Sequence, residues 1–182
     1  MAGEDSHLRR SEYLVVQQNP PVLPFSSASR DRAGVAGSQA GRHQEQSGHR
    51  LIPHTADWII EAWAPDPVGC IAEALRALVE EFADVRSEPS SRTLPLTATE
   101  GAGEDALVQL LEEVIYVVDV FSVVPIQFHL SDTEDGGVVG DMEVVPASHA
   151  EMVGPSPKGV SYHNLSMTHD DGHWRCHVLI DV

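Results

Sequence analysis

The stretch His54-Thr55-Ala56-Asp57-Trp58-Ile59-Ile60-Glu61-Ala62-Trp63-Ala64-Pro65-Asp66-Pro67 leads into Val68-Gly69-Cys70-Ile71-Ala72-Glu73-Ala74-Leu75-Arg76-Ala77-Leu78-Val79-Glu80-Glu81-Phe82, and the hydrophobic period changes between them. Trp58, Ile60, Ala62 and Ala64 alternate with Asp57, Ile59, Glu61 and Trp63. That is the period of a strand with both faces at least partly covered. Val68, Ile71, Leu75, Leu78, Val79 and Phe82 then recur at helical spacing, with Pro67 suited to a first turn and Glu73, Arg76, Glu80 and Glu81 turned outward. A strand followed at once by an amphipathic helix that covers a sheet is the seed of the fold.

Outward from this seed the pattern continues. Leu94, Leu96 and Ala98 predict another strand, and Leu107, Leu110, Leu111, Val114, Ile115 and Val118 a second helix, with Glu104 and Asp105 at its dipole-positive end. Four more strand-like segments follow: Val124 to Leu130, Val138 to Val145, Gly159 to Met167 and Trp174 to Val182, the second preceded by the turn Asp135-Gly136-Gly137. Two amphipathic helices among about seven strands, with the strands clustered late, predict an α+β, two-layer sandwich of mainly antiparallel strands. Gly101-x-Gly103 lacks the following Lys of a phosphate loop and reads as a plain turn.

Composition limits what such a domain can do. The chain of 182 residues carries 11 basic and 28 acidic side chains, a formal charge of −17. Phosphates must be met by Lys and Arg, so direct high-affinity nucleic-acid binding is not expected. The longest purely apolar run, Val114 to Val118, is far short of the ~20 residues of a membrane span. Cys70 and Cys176 are too few and too far apart for a zinc cluster or a disulfide framework, and with no signal-peptide core near Met1 a reducing, cytoplasmic setting is expected. From Ser26 to His49 there are five Ser, four Gly and four Ala, with Val35 the only large aliphatic. Residues 1–49 therefore read as a disordered N-terminal extension and residues 50–182 as the folded domain. Tyr13 to Val16 and Val22 to Phe25 could instead form a short docking element.

Few residues offer chemistry. On the terminal strand Asp181 shares a face with His173, Arg175, His177 and Leu179. With the α-carboxylate of Val182 and a nearby Asp57, it would make an oxygen-rich site for Mg²⁺, Mn²⁺ or Ca²⁺. The competing reading is a solvated penultimate Asp and an Asp that caps a turn. His173-x-x-x-His177 chelates only on a helix, whereas four residues of strand separate the rings by ~13 Å. His54 and His163 read either as hydrogen-bonded structural residues or as ligands. Lys158 is the only lysine in the chain, in Pro155-Ser156-Pro157-Lys158-Gly159, and reads either as a solvated loop residue or as a functional cation.

Four segments together resemble a known family. His54-Thr55-Ala56-Asp57 before a strand and an Ala-rich helix, Leu110-Leu111-Glu112-Glu113-Val114-Ile115-Tyr116, Lys158-Gly159-Val160-Ser161-Tyr162-His163, and Trp174 to Ile180-Asp181-Val182 resemble archease in the family's order. The resemblance runs from about Arg50 to Val182. It implies a small α+β protein cofactor, not itself an enzyme, that activates the RtcB-type RNA ligase in tRNA splicing and RNA repair. It also implies an acidic divalent-metal site at Asp57 and Asp181, beside Val182, and a functional lysine at Lys158, with His54 and His163 as supporting candidates. The chain departs from the family pattern at Pro65-Asp66-Pro67, where Gly-Asp is usual, at Gly159 in place of Ala, and in lacking an acidic residue before Lys158.

A domain this acidic is repelled by RNA and attracted to the basic cleft that an RNA ligase must have. Two other classes stay open: a metal-dependent hydrolase built on Asp57, His54, His163 and Asp181, and a chaperone-like binding module with an exposed apolar patch.

Overall fold

The computed structural model describes residues 47–53, 57–85, 89–99 and 101–182. The expected disordered extension lies outside them up to residue 46, as do the candidate docking segments and His54-Thr55-Ala56.

Every strand pair is antiparallel. A four-stranded sheet has the order β1-β2-β9-β8, formed by Gly48–Pro53, Asp57–Ala64, His173–Asp181 and Gly159–Asp170. A three-stranded sheet, β4-β6-β5, is formed by Arg92–Ala98, Val138–Pro146 and Val123–Asp132. Two short strands, β3 at Ala83–Asp84 and β7 at Glu151–Met152, pair with each other. The helices are α1, Pro67–Phe82, and α2, Glu104–Phe121. The α+β expectation with mainly antiparallel strands and two helices holds. The extra strands are β1, whose Arg50 and Pro53 hide it from a periodicity reading, and the pair β3 and β7.

Burial along β2 alternates as expected, with Trp58, Ile60, Ala62 and Ala64 inward. The same parity on β9 buries Cys176, Val178 and Ile180. Helix α1 packs on β1, β2 and β9 of one sheet and on β5 of the other, while α2 packs on β4, β5 and β8. Ile71, Leu75, Leu78 and Phe82 of α1 are fully buried, as are Leu107, Leu110, Leu111 and Val114 of α2.

The departure at Pro65-Asp66-Pro67 has a local explanation. Asp66 is extended, at φ −129°, and its Oδ1 accepts the Gly69 amide at 2.7 Å, while Pro67 occupies the first turn, where an amide hydrogen has no helical partner. Gly69 is needed for closeness, since a Cβ there would lie 3.1 Å from that of Ala64. The strand-to-helix turn is thus capped and tight without the usual Gly.

His49 joins β1 to α1. Its Nδ1 lies 2.9 Å from Glu73 and its Nε2 3.2 Å from Glu80, and Arg76 also pairs with Glu73. Glu73, expected to face outward, is instead buried at 7% exposed, and these partners satisfy it. Behind it, Cys70 of α1 and Cys176 of β9 are buried thiols, and Cys70 is pushed well above the ordinary thiol range because it donates to Cys176 and is desolvated.

Leu78→Ala is expected to cost about 2–5 kcal/mol, and Asp66→Ala about 1 kcal/mol through the lost cap. Urea unfolding followed by circular dichroism checks both, and a Leu78→Ala cost below 1 kcal/mol would show that α1 is not docked as described.

Candidate functional site

The register of the four-stranded sheet brings the separated sequence candidates together. Asp57 opens β2 and Asp181 closes β9, and the two are direct antiparallel partners. On the other side of β9, Gly159 at the start of β8 is also the partner of Asp181, and the amide of Lys158 donates to the Asp181 carbonyl at 2.8 Å. Residues 57, 181 and 158–159 thus stand side by side at one end of three adjacent strands.

Asp57 and Asp181 both project from the face opposite α1, because the alternate residues Trp58 and Ile180 are buried. Side chains of directly opposed residues on an antiparallel pair start ~5 Å apart. Two hard oxygen donors at that spacing suit a divalent cation that completes its shell with water or with a partner's oxygens. Asp57 is the first residue of β2. The next row on the same face is apolar: Ile52, Ile59 and Leu179 are aligned across β1, β2 and β9, with Ile52 36% exposed.

The histidines that the structure describes make contacts of their own. His173 and His177 lie on β9, as the strand pattern predicts, and each uses Nδ1 to donate to a backbone carbonyl, of Asp171 and Asn164 respectively. His163 is exposed in a wide irregularity of β8, where five residue steps from Ser161 to Ser166 face only two on β9. Asn164 there has φ +57°, and the His177 bond to its carbonyl, 3.1 Å long, pins the loop. His54 lies outside the described residues. Among the described residues no group of three or more His, Cys, Asp or Glu side chains is arranged to hold a metal ion, so Asp57 and Asp181 stand as a pair.

Lys158 is exposed and lines a cleft of about 540 Å³ between α2 and the 155–159 turn. The opposite wall includes Glu112, Ile115, Tyr116 and Asp119. Glu112 falls within the family-resembling segment Leu110 to Tyr116 and Asp119 beyond it, and their seven-residue spacing puts both on one helix face. Among the described residues no helix is long and apolar enough to cross a membrane.

Most of the chain is similar to known proteins. Residues 49–182 match the model of the Archease protein family (MTH1598/TM1083). The chain belongs to the archease family. It is 42% identical over 144 residues to "Probable protein archease" of Mycobacterium tuberculosis (strain ATCC 25618 / H37Rv), covering 79% of this chain and 80% of that one. It is 26% identical over 137 residues to "Protein archease" of Methanopyrus kandleri, covering 72% and 96%. In fold, it resembles the solution structure of Methanobacterium thermoautotrophicum protein 1598, with a TM-score of 0.60, 21% identity, and coverage of 74% of this chain and 99% of that one. It also resembles a Thermotoga maritima protein described as an archease, possible chaperone, with a TM-score of 0.52, 20% identity and coverage of 73% and 96%. The matched region begins within β1 and takes in the whole four-stranded site of this archease-family chain.

Like charges directly opposed across a strand pair are destabilising, by roughly 0.2–1 kcal/mol. Asp181→Asn is therefore expected to raise stability by that amount in the presence of a chelator, and millimolar Mg²⁺ or Mn²⁺ is expected to shrink the difference. Urea midpoints with and without the ion check this, and a destabilised Asp181→Asn in chelator would contradict the repulsive pair.

Proposed function

We propose that the chain is a protein cofactor that activates an RtcB-type RNA ligase, promoting its guanylylation and multiple turnover in tRNA splicing or RNA repair. The carrying observation is the convergence of Asp57, Asp181 and Lys158 on three neighbouring strand ends. Membership in the archease family and the −17 charge support the same reading. The chain is read as an activator and not an enzyme, acting in the cytoplasm.

In this reading the acidic strand ends enter the ligase's basic, phosphate-binding cleft. Asp57 and Asp181 would hold a divalent ion, Ca²⁺, Mg²⁺ or Mn²⁺, and such an ion supplies charge neutralisation to phosphate oxygens. The ladder on both sides of Asp181 fixes its backbone, so the carboxylate is presented without a loop to order. Lys158, anchored through its own amide to the Asp181 carbonyl, carries a cation on a flexible stem beside the acids. It stabilises phosphate charge as guanylate moves to the ligase. The apolar row Ile52, Ile59 and Leu179 supplies area for contact on the same face.

The test is guanylylation and turnover of the purified ligase from the same source, with and without the full chain. Asp57→Asn and Asp181→Asn are each expected to weaken divalent binding and to reduce activation about tenfold or more. Lys158→Ala is expected to spare calorimetric metal binding and still reduce activation. Deletion of residues 1–45 is expected to change activation by no more than about twofold. Full activation by Asp181→Asn would overturn the reading. Suppression of client aggregation without metal, with no effect on the ligase, would favour a chaperone-like module acting through exposed Met152 and Val153. Metal-dependent hydrolysis by the purified chain alone would favour the hydrolase.

The same reading requires that the chain not hold RNA by itself. Its affinity for tRNA halves at physiological salt is expected to be weaker than the ~10⁻⁴ to 10⁻⁶ M of non-specific binding. A filter-binding or fluorescence titration giving micromolar affinity would contradict it.

A further inference from the structure

Beside the acidic strand ends, the cleft between α2 and the 155–159 turn has a composition that selects its occupant. Glu112 and Asp119 lie two turns apart on α2, about 10 Å along its axis, and both are exposed. Between them Ile115 and Tyr116 form an apolar floor, and Pro157, buried in the turn, faces them. The Tyr116 ring is braced edge-on by Phe121, with centroids 6.0 Å apart at 87°. Among the described residues neither Glu112 nor Asp119 forms a side-chain ion pair, and Lys158 on the facing wall forms none either.

Each class of occupant meets a different fate in such a slot. An anion would meet two carboxylates for one ammonium. A purely apolar group would desolvate both carboxylates without replacing their water, which is unfavourable. A long cation fits on both counts, its methylene stem lying on Ile115 and Pro157 and its head meeting a carboxylate. Arginine fits better than lysine, because its planar guanidinium forms two hydrogen bonds to one carboxylate and stacks on an aromatic ring. The amide of Lys158 holds the Asp181 carbonyl, so the cleft lies next to the acidic pair, and a protein seated on Asp57 and Asp181 is within reach of its mouth.

We infer that this cleft is a docking slot for an arginine side chain of the partner ligase, with Glu112, Asp119 and Tyr116 as the residues that receive it. The inference rests on the reading of the chain as a ligase activator and adds the surface that sets affinity, as distinct from the strand ends that act on the ligase's phosphates.

The experiment titrates the full chain against the purified RtcB-type ligase from the same source, reading the complex Kd and the concentration giving half-maximal guanylylation. The double variant Glu112→Gln, Asp119→Asn is expected to raise both about tenfold and to flatten their dependence on salt. Asp119→Asn alone is expected to give a smaller shift in the same direction. The control variant Glu134→Gln, Asp135→Asn removes the same charge at the β5–β6 turn and is expected to leave both values unchanged. Because Glu112 and Asp119 are exposed and unpaired, the thermal midpoint is expected to stay within about 2 °C. Arginine-to-glutamate substitutions across the ligase surface should include one that weakens the complex and is rescued by Asp119→Arg. A double variant with the wild-type Kd, or one no weaker than the control, overturns the slot. Loss of activation in Asp57→Asn and Asp181→Asn with an unshifted double variant would sink the slot alone. A ligase that does not bind the wild-type chain would sink both readings.

Discussion

The register between β2 and β9 is the constraint on which the rest depends. Eight consecutive pairs run from Asp57 with Asp181 to Ala64 with Trp174, and they place Trp58, Ile60, Ala62 and Ala64 on the same face as Cys176, Val178 and Ile180. A slip of one residue would turn that apolar set toward water and bring Asp57, Glu61, Arg175 and His177 against α1. The cost of such a slip is the burial of several charges, so the core itself fixes where the two aspartates meet. The strands on either side follow. The β8–β9 hairpin turns through Asp171 at φ +49° and Gly172 at φ +77°, a turn whose twist matches that of its strands and sets the β8 pairing.

That dependence explains which parts of the structure were legible. Period-two and period-3.6 patterns in residues 57–82 reported the strand and helix directly, because both faces of that contact are apolar and continuous. Strand β1 was not legible: Gly48-His49-Arg50-Leu51-Ile52-Pro53 has no clear alternation, and its order comes from pairing with β2 and from His49 reaching Glu73 and Glu80. The Asp171-Gly172 turn carried a sequence signal that went unused. Gly140 carries none in its own neighbourhood, since only the packed sheet reveals that a Cβ there would lie 1.9 Å from the His129 carbonyl oxygen.

The candidate site divides in the same way. Asp57, Asp181 and Lys158 could be named from sequence through family resemblance, but their adjacency is a property of the ladder, which joins positions 57, 158 and 181 through one backbone partner. The histidines were ambiguous because a ring's role depends on what its nitrogens meet. For His177 that partner is the carbonyl of Asn164, a residue in a bulged stretch whose conformation no periodicity encodes. Glu112 and Asp119 were hidden for a different reason: outward acids on an amphipathic helix look like ordinary solvated charge until the 155–159 turn is placed opposite them.

Net charge does not by itself determine how such a surface recognises a partner. At physiological ionic strength the screening length is about 8 Å, so most of the 28 acidic side chains are invisible to a protein arriving at the β2–β9 end. What a docked partner senses is local: Asp57 and Asp181 on the sheet face, Glu112 and Asp119 on α2, and Lys158 in the turn that joins the two regions. Placing the chain's single lysine there makes the local charge pattern non-uniform. A uniformly acidic tip would attract any basic surface equally well. In the proposed reading Lys158 favours a partner that brings phosphate to its side of the cleft while Glu112 and Asp119 hold an arginine on the other, and such patterned charge gives specificity beyond attraction alone. On that reading it is the pattern of these five side chains around one strand end, and not the total charge, that selects what docks.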